Sequence, residues 1–171
     1  MTKLKEWSER LDQMIEGSPS PEDIDHFVRE LMLECKTFIE QEEKVAVPPF
    51  TFRVCNDDEY RGLLRQWAAR QTAYGTTGMA IGQGSNRIVG INVGKLLPLL
   101  QGVNPRRDFI CNLTLPIIEE LVHLINPALT EGQVNVIVND LAERFLDIEI
   151  PAEIKEEFAR IVRENETASP D

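Results

Sequence analysis

Tyr74-Gly75-Thr76-Thr77-Gly78-Met79-Ala80-Ile81, then Gly82-Gln83-Gly84-Ser85-Asn86, then Arg87-Ile88-Val89-Gly90-Ile91-Asn92-Val93 is the stretch that decides the fold class. Two runs with strand character flank a cluster of residues that favour turns, which predicts a β-hairpin. Gly82-Gln83-Gly84 sits in that turn and lacks the strand-then-helix setting of a dinucleotide fingerprint. A third strand is predicted upstream, where Pro48-Pro49 closes a helical region and Phe50-Thr51-Phe52-Arg53-Val54-Cys55 is aromatic and β-branched. Strands gathered in the middle of an otherwise helical chain imply an α+β fold with a small, mostly antiparallel sheet and argue against a doubly wound one.

Working outward, Leu4, Trp7, Leu11, Met14 and Ile15 recur at helical spacing up to Gly17. Ser20, Pro21 and Asp23 form the start signal of a second helix with a capping box, and Ile24, Phe27, Val28, Leu31, Cys35, Phe38 and Ile39 are its apolar stripe. A helix is expected over 59–70 after the turn Asn56-Asp57-Asp58. Beyond the hairpin, Asn104-Pro105 begins a helix that Pro116 is expected to break or kink, and Asn126-Pro127 stops the segment carrying Ile117, Ile118, Leu121, Val122 and Ile125. Thr130 and Gln133 cap a further helix with Val134, Ile137, Val138, Leu141 and Phe145 inward, and a last one follows Pro151, with a polar tail from Asn165. The whole reads as one domain over 1–171: N-terminal helices in 1–46, a core over 50–146 and a C-terminal helix over 151–165.

Composition excludes several classes of function. The 171 residues carry a net charge of −11, which repels phosphate backbones, so no nucleic-acid partner is expected. Hydrophobic residues at 42% and charged residues at 27% suit a folded globular chain. Cys35, Cys55 and Cys111 are odd in number, lack metal-type spacing and fall in apolar segments, which favours buried thiols in a reducing compartment. Met1–Trp7 has no apolar leader pattern and no run approaches the ~18 apolar residues of a membrane span, so a cytoplasmic protein without membrane partners is expected.

The chemistry-bearing stretch is Glu119-Glu120-Leu121-Val122-His123. Residues four apart share a helix face, so Glu119 and His123 could reach one cation while Glu120 stands on the flank. With its surroundings, Pro116 to Glu131, the segment resembles the motif helix of small gluzincin-type metallopeptidases, with E-E-x-x-H in place of H-E-x-x-H. The resemblance spans about residues 50–146 and implies a zincin-like fold in which the motif helix packs beside a small sheet. It makes Glu119 and His123 metal ligands and Glu120 the carboxylate that polarises a bound water. The implied metal is zinc; replacing a histidine by Glu119 hardens the donor set, so manganese or iron would also suit it.

Two positions compete for the third ligand. Glu143 followed by Asp147 reproduces the Glu-x-x-x-Asp spacing of thermolysin-like members, with Asp147 orienting the ligand. On the helical wheel, however, Glu143 points away from the apolar face, and Asn139 stands where the small zincins carry their ligand glutamate. The resemblance implies peptide hydrolysis if the centre is intact. If its ligands are lost, it implies a binding module holding a peptide or protein segment by strand addition in the groove between the 87–93 strand and the motif helix. Glu120-x-x-His123 also matches one half of a di-iron carboxylate pattern, which requires a four-helix bundle. His26 beside Asp25 reads as a surface histidine.

Overall fold

The computed structural model describes residues 2–17, 19–66, 76–82, 84–101 and 105–167, with side chains described as far as Ile161. The chain runs α1 (Lys3–Glu16), α2 (Pro21–Glu43), β1 (Thr51–Cys55), α3 (Asp57–Gln66), β2 (Gly78–Ile81), β3 (Ile88–Asn92), α4 (Arg106–Ile125), α5 (Glu131–Leu146) and α6 (Ala152–Thr167). Short 3-10 turns at Val93–Lys95 and Leu97–Leu100 join β3 to α4. The fold is α+β, and the presence of a sheet separates it from a four-helix bundle. α6 continues past Asn165, where the sequence predicts a polar tail; residues 67–75, which include the expected end of α3 and the first part of the hairpin, lie outside the described residues.

The sheet has the order β1-β3-β2. β2 and β3 form the expected antiparallel hairpin, with Met79 opposite Gly90, but β1 pairs with β3 in parallel, with Phe52 opposite Val89. The sheet is therefore mixed instead of mostly antiparallel. β3 is its central strand, and β2, not the 87–93 segment, is the edge beside α4. The reason is legible afterwards: Ile88 to Ile91 is a continuous apolar run, the signature of a strand covered on both faces. Side chains alternate accordingly. Phe52, Val89 and Ile91 enter the main core, whereas Cys55 and Met79 join Tyr60 and Leu64 under α3. In the hairpin turn Gly82 has φ 85°, and a Cβ there would stand 2.1 Å from the Asn86 carbonyl oxygen, so the turn requires glycine.

α4 is the hub, touched by α1, α2, α5, α6, β2 and β3. From Phe109 to Val122 only Asn112 and Glu119 escape full burial, so this helix is covered on nearly all sides instead of along one stripe. That explains why Pro116 does not break it. The lost hydrogen bond and ring clash cost about 3 kcal/mol, while each fully buried Leu or Ile nearby returns roughly 1.5–3 kcal/mol. Leu113, Leu115, Ile117 and Ile118 are each no more than 1% exposed.

The N-terminal helices complete this core. Trp7 meets Phe27 edge-on at 5.3 Å between ring centroids, and Phe27 continues to Phe109 at 6.3 Å. None of their residues lines the cleft described below. The predicted capping boxes of α2 and α5 are both formed, and Asn56 and Glu59 make a third reciprocal pair at α3. All three cysteines are buried and free. Among the described residues no helix is long and apolar enough to cross a membrane.

Candidate metal centre in a cleft

A cleft of about 620 Å³ opens between the edge strand β2, the C-terminal half of α4, the α4–α5 turn and α6. Gly78 sets the spacing of its first two walls: a Cβ there would lie 3.2 Å from Pro116 Cβ and 3.3 Å from Glu120 Cγ, so the strand approaches the helix closely because this residue has no side chain. Beyond β3, the other side of β2 bears no strand among the described residues.

Glu119, Glu120 and His123 all line the cleft. The turn at Asn126-Pro127 then reverses the chain, and the Thr130 cap starts α5 so that its first residue, Glu131, comes back beside His123. Glu131 Oε1 lies 3.4 Å from His123 Nε2. The helix dipoles favour this pairing, because His123 is in the last turn of α4 and Glu131 in the first turn of α5. One ligand atom from each of Glu119, His123 and Glu131 falls within 4.8 Å of the others.

The electrostatics follow from burial. Glu120 is 4% exposed, and desolvation pushes its carboxyl well above the usual range, with the neighbouring Glu119 charge adding to the effect. Burial likewise pushes Glu119 up to about 7, against the opposing influence of a hydrogen bond with Glu120 and the His123 charge. Burial thus holds both carboxyls toward their neutral forms. The hydrogen bond to Glu131 raises His123, outweighing the desolvation that acts against the imidazolium. Oε2 of Glu119 is buried and has no hydrogen-bond partner among the described residues.

The two sequence candidates for the third ligand have other surroundings, and neither lines the cleft. The Glu143 carboxylate accepts from the Ile150 amide at 2.8 Å and pairs with Lys155 at 3.0 Å. Asn139 donates its side-chain amide to the Asn135 carbonyl at 3.0 Å. Asp147, the proposed orienter, ends α5 in a left-handed conformation, with φ 58°. Glu131 was missed because it follows His123 by only eight positions and doubles as a first-turn helix residue; the available signal was a reversing Asn-Pro turn between two helix ends of opposite polarity.

Tyr60 of α3 is fully buried. Its hydroxyl is 2.6 Å from Thr76 Oγ1, and it lies near enough to Glu119 and Glu120 for their charges to help burial raise its pKa. His26 is at the surface, 75% exposed, with Nε2 2.9 Å from Glu30. Comparison of the chain with protein-family models, with curated proteins and with solved structures yields no match.

Proposed function

We propose that the chain is a zincin-like metallopeptidase homologue that binds an extended peptide along β2 and holds a divalent cation with Glu119, His123 and Glu131. The observation that carries this reading is the convergence of two carboxylates and an imidazole beside an edge strand, in the cleft where a peptide could add to the sheet. The donor set fits a cation: the buried Oε2 of Glu119 has no hydrogen-bond partner among the described residues, and two carboxylates with one imidazole suit zinc, manganese or iron. A metal held there would supply Lewis acidity toward a peptide carbonyl.

The chain's own groups supply the rest. β2 offers backbone N–H and C=O groups that fix the peptide's register, while the apolar wall from Leu115, Leu124 and Phe158 excludes water. Glu120, one position from Glu119 and on the cleft wall, is the group that would take a proton from an attacking water and return it to the leaving amine. To do so it must ionise against the desolvation that favours its neutral form.

The burial of Glu120 favours a second reading, a peptide-binding module without hydrolysis, since desolvation disfavours the ionised carboxylate that a base requires. Metal analysis and a peptide-library cleavage assay separate the two. About one zinc, manganese or iron per chain, lost in Glu119→Ala/His123→Ala, together with cleavage abolished by Glu120→Gln, supports the peptidase. Stoichiometric metal and peptide binding without cleavage selects the module. Absence of metal from both forms, even after incubation with zinc, would sink the centre.

A further inference from the structure

α6 packs on α4 and α5 and sets Ile154 in the main core, with Phe158 packed against it. At its start Glu143 of α5 accepts from the Ile150 amide and forms the ion pair with Lys155. Its middle contributes Glu157, Phe158 and Ile161 to the wall of the cleft. The only residue of α6 that is fully buried among those described is Ile154.

Glu131, Asn135, Asn139 and Glu143 are spaced by four and so form one ridge of α5. Glu143, at one end of that ridge, reaches α6 through Lys155, and Glu131, at the other, lines the same cleft as Glu157, Phe158 and Ile161. The two asparagines between them carry side-chain oxygens that are buried without a hydrogen-bond partner among the described residues. Each such oxygen is a cost of burial that access of water would relieve. This ridge is polar along its whole length, so the apolar hold on α6 comes from Ile154 and Phe158 against the main core.

We propose that α6 is a movable wall of the cleft, latched by Glu143 and Lys155, which swings away as a unit to admit a chain to β2 and to the Glu119, His123 and Glu131 cluster. The inference rests on the peptide-binding reading only for the nature of what enters. The motion itself is testable without metal or peptide.

The experiment uses the full-length chain in chelator. Amide hydrogen exchange reports the opening of α6, and carbethoxylation by diethyl pyrocarbonate reports access to the cleft. The chain has two histidines, His26 on the surface as internal reference and His123, 22% exposed, in the cleft. Lys155→Glu should speed exchange along α6 and raise the His123-to-His26 reactivity ratio, each by about fivefold, leaving exchange in α4 and α5 unchanged. Lys155→Arg should restore both, and Glu143→Gln, which keeps an acceptor for Ile150, should give a smaller change in the same direction. Exchange of α6 in one step with α5, or an unchanged His123 ratio despite faster α6 exchange, would overturn the proposal. Failure to bind metal would instead strike the proposed centre and leave these two readouts to decide the motion of α6.

Discussion

The two halves of α4 are equally well covered and chemically opposite. Phe109 to Leu115 buries mainly apolar side chains, Phe109 against Phe27 of α2 among them, with Thr114 as the buried polar exception. Pro116 to His123 buries Ile117, Ile118, Leu121 and Val122 too but carries the buried Glu120 and the half-buried Glu119 and His123 to the wall of the cleft. In the first half burial is mainly a source of stability. In the second the apolar side chains still stabilise, but burial of the acidic groups is a cost, and such costs gather where a protein binds or reacts.

The comparison is broken most severely from the apolar side. Leu113→Ala removes a fully buried side chain and should destabilise the protein by roughly 2–5 kcal/mol in urea unfolding, with metal binding of the folded fraction unaltered. If metal affinity fell as much as in a ligand variant, the two halves would not be separable. Next in size, Glu131→Ala should weaken zinc binding by at least about 100-fold in a competition titration, while Glu143→Ala changes it by less than about threefold. The reverse order would return the third-ligand role to Glu143.

A pH series sharpens the contrast. Glu119 is raised to about 7 from an ordinary carboxylate value, and the buried Glu120 and the Glu131-paired His123 are raised as well. Groups raised in the folded state hold protons there that the unfolded chain releases, so their contribution is present at low pH and is lost as pH rises through the folded values. The metal-free protein should therefore lose on the order of 1–3 kcal/mol between pH 5 and 8, and Glu119→Gln/Glu120→Gln should flatten that slope. A slope unchanged in the double variant would place the titrating groups elsewhere. The smallest effect belongs to Gly78→Ala, whose new Cβ must push Pro116 and Glu120 back by a few tenths of an ångström. It should cost about 1 kcal/mol in thermal unfolding and change the pH slope little.

Much of the local structure was legible. Ser20 with Asp23 and Thr130 with Gln133 announced capping boxes that are present, because a cap depends only on residues three positions apart. Pro116 misled for the complementary reason: its cost is local, but the burial that outweighs it comes from distant helices. The strand at 87–93 was recognisable as a strand, yet its place in the sheet was not, since the parallel partner β1 lies more than thirty residues upstream.

The candidate site divides along the same line. Glu119 and His123 share a face through helix geometry, which spacing alone determines, and their burial with Glu120 could be suspected from the surrounding Ile and Leu residues. What only the tertiary structure decided is the third member and the walls. Glu131 reaches His123 because the Asn126-Pro127 turn folds α5 back on α4; Gly78 brings β2 against Pro116; and Glu143, attractive by spacing, is engaged at the start of α6. Sequence periodicity specifies neighbours along an element. It does not specify which ends meet, because that depends on turns and packing among elements far apart in the chain.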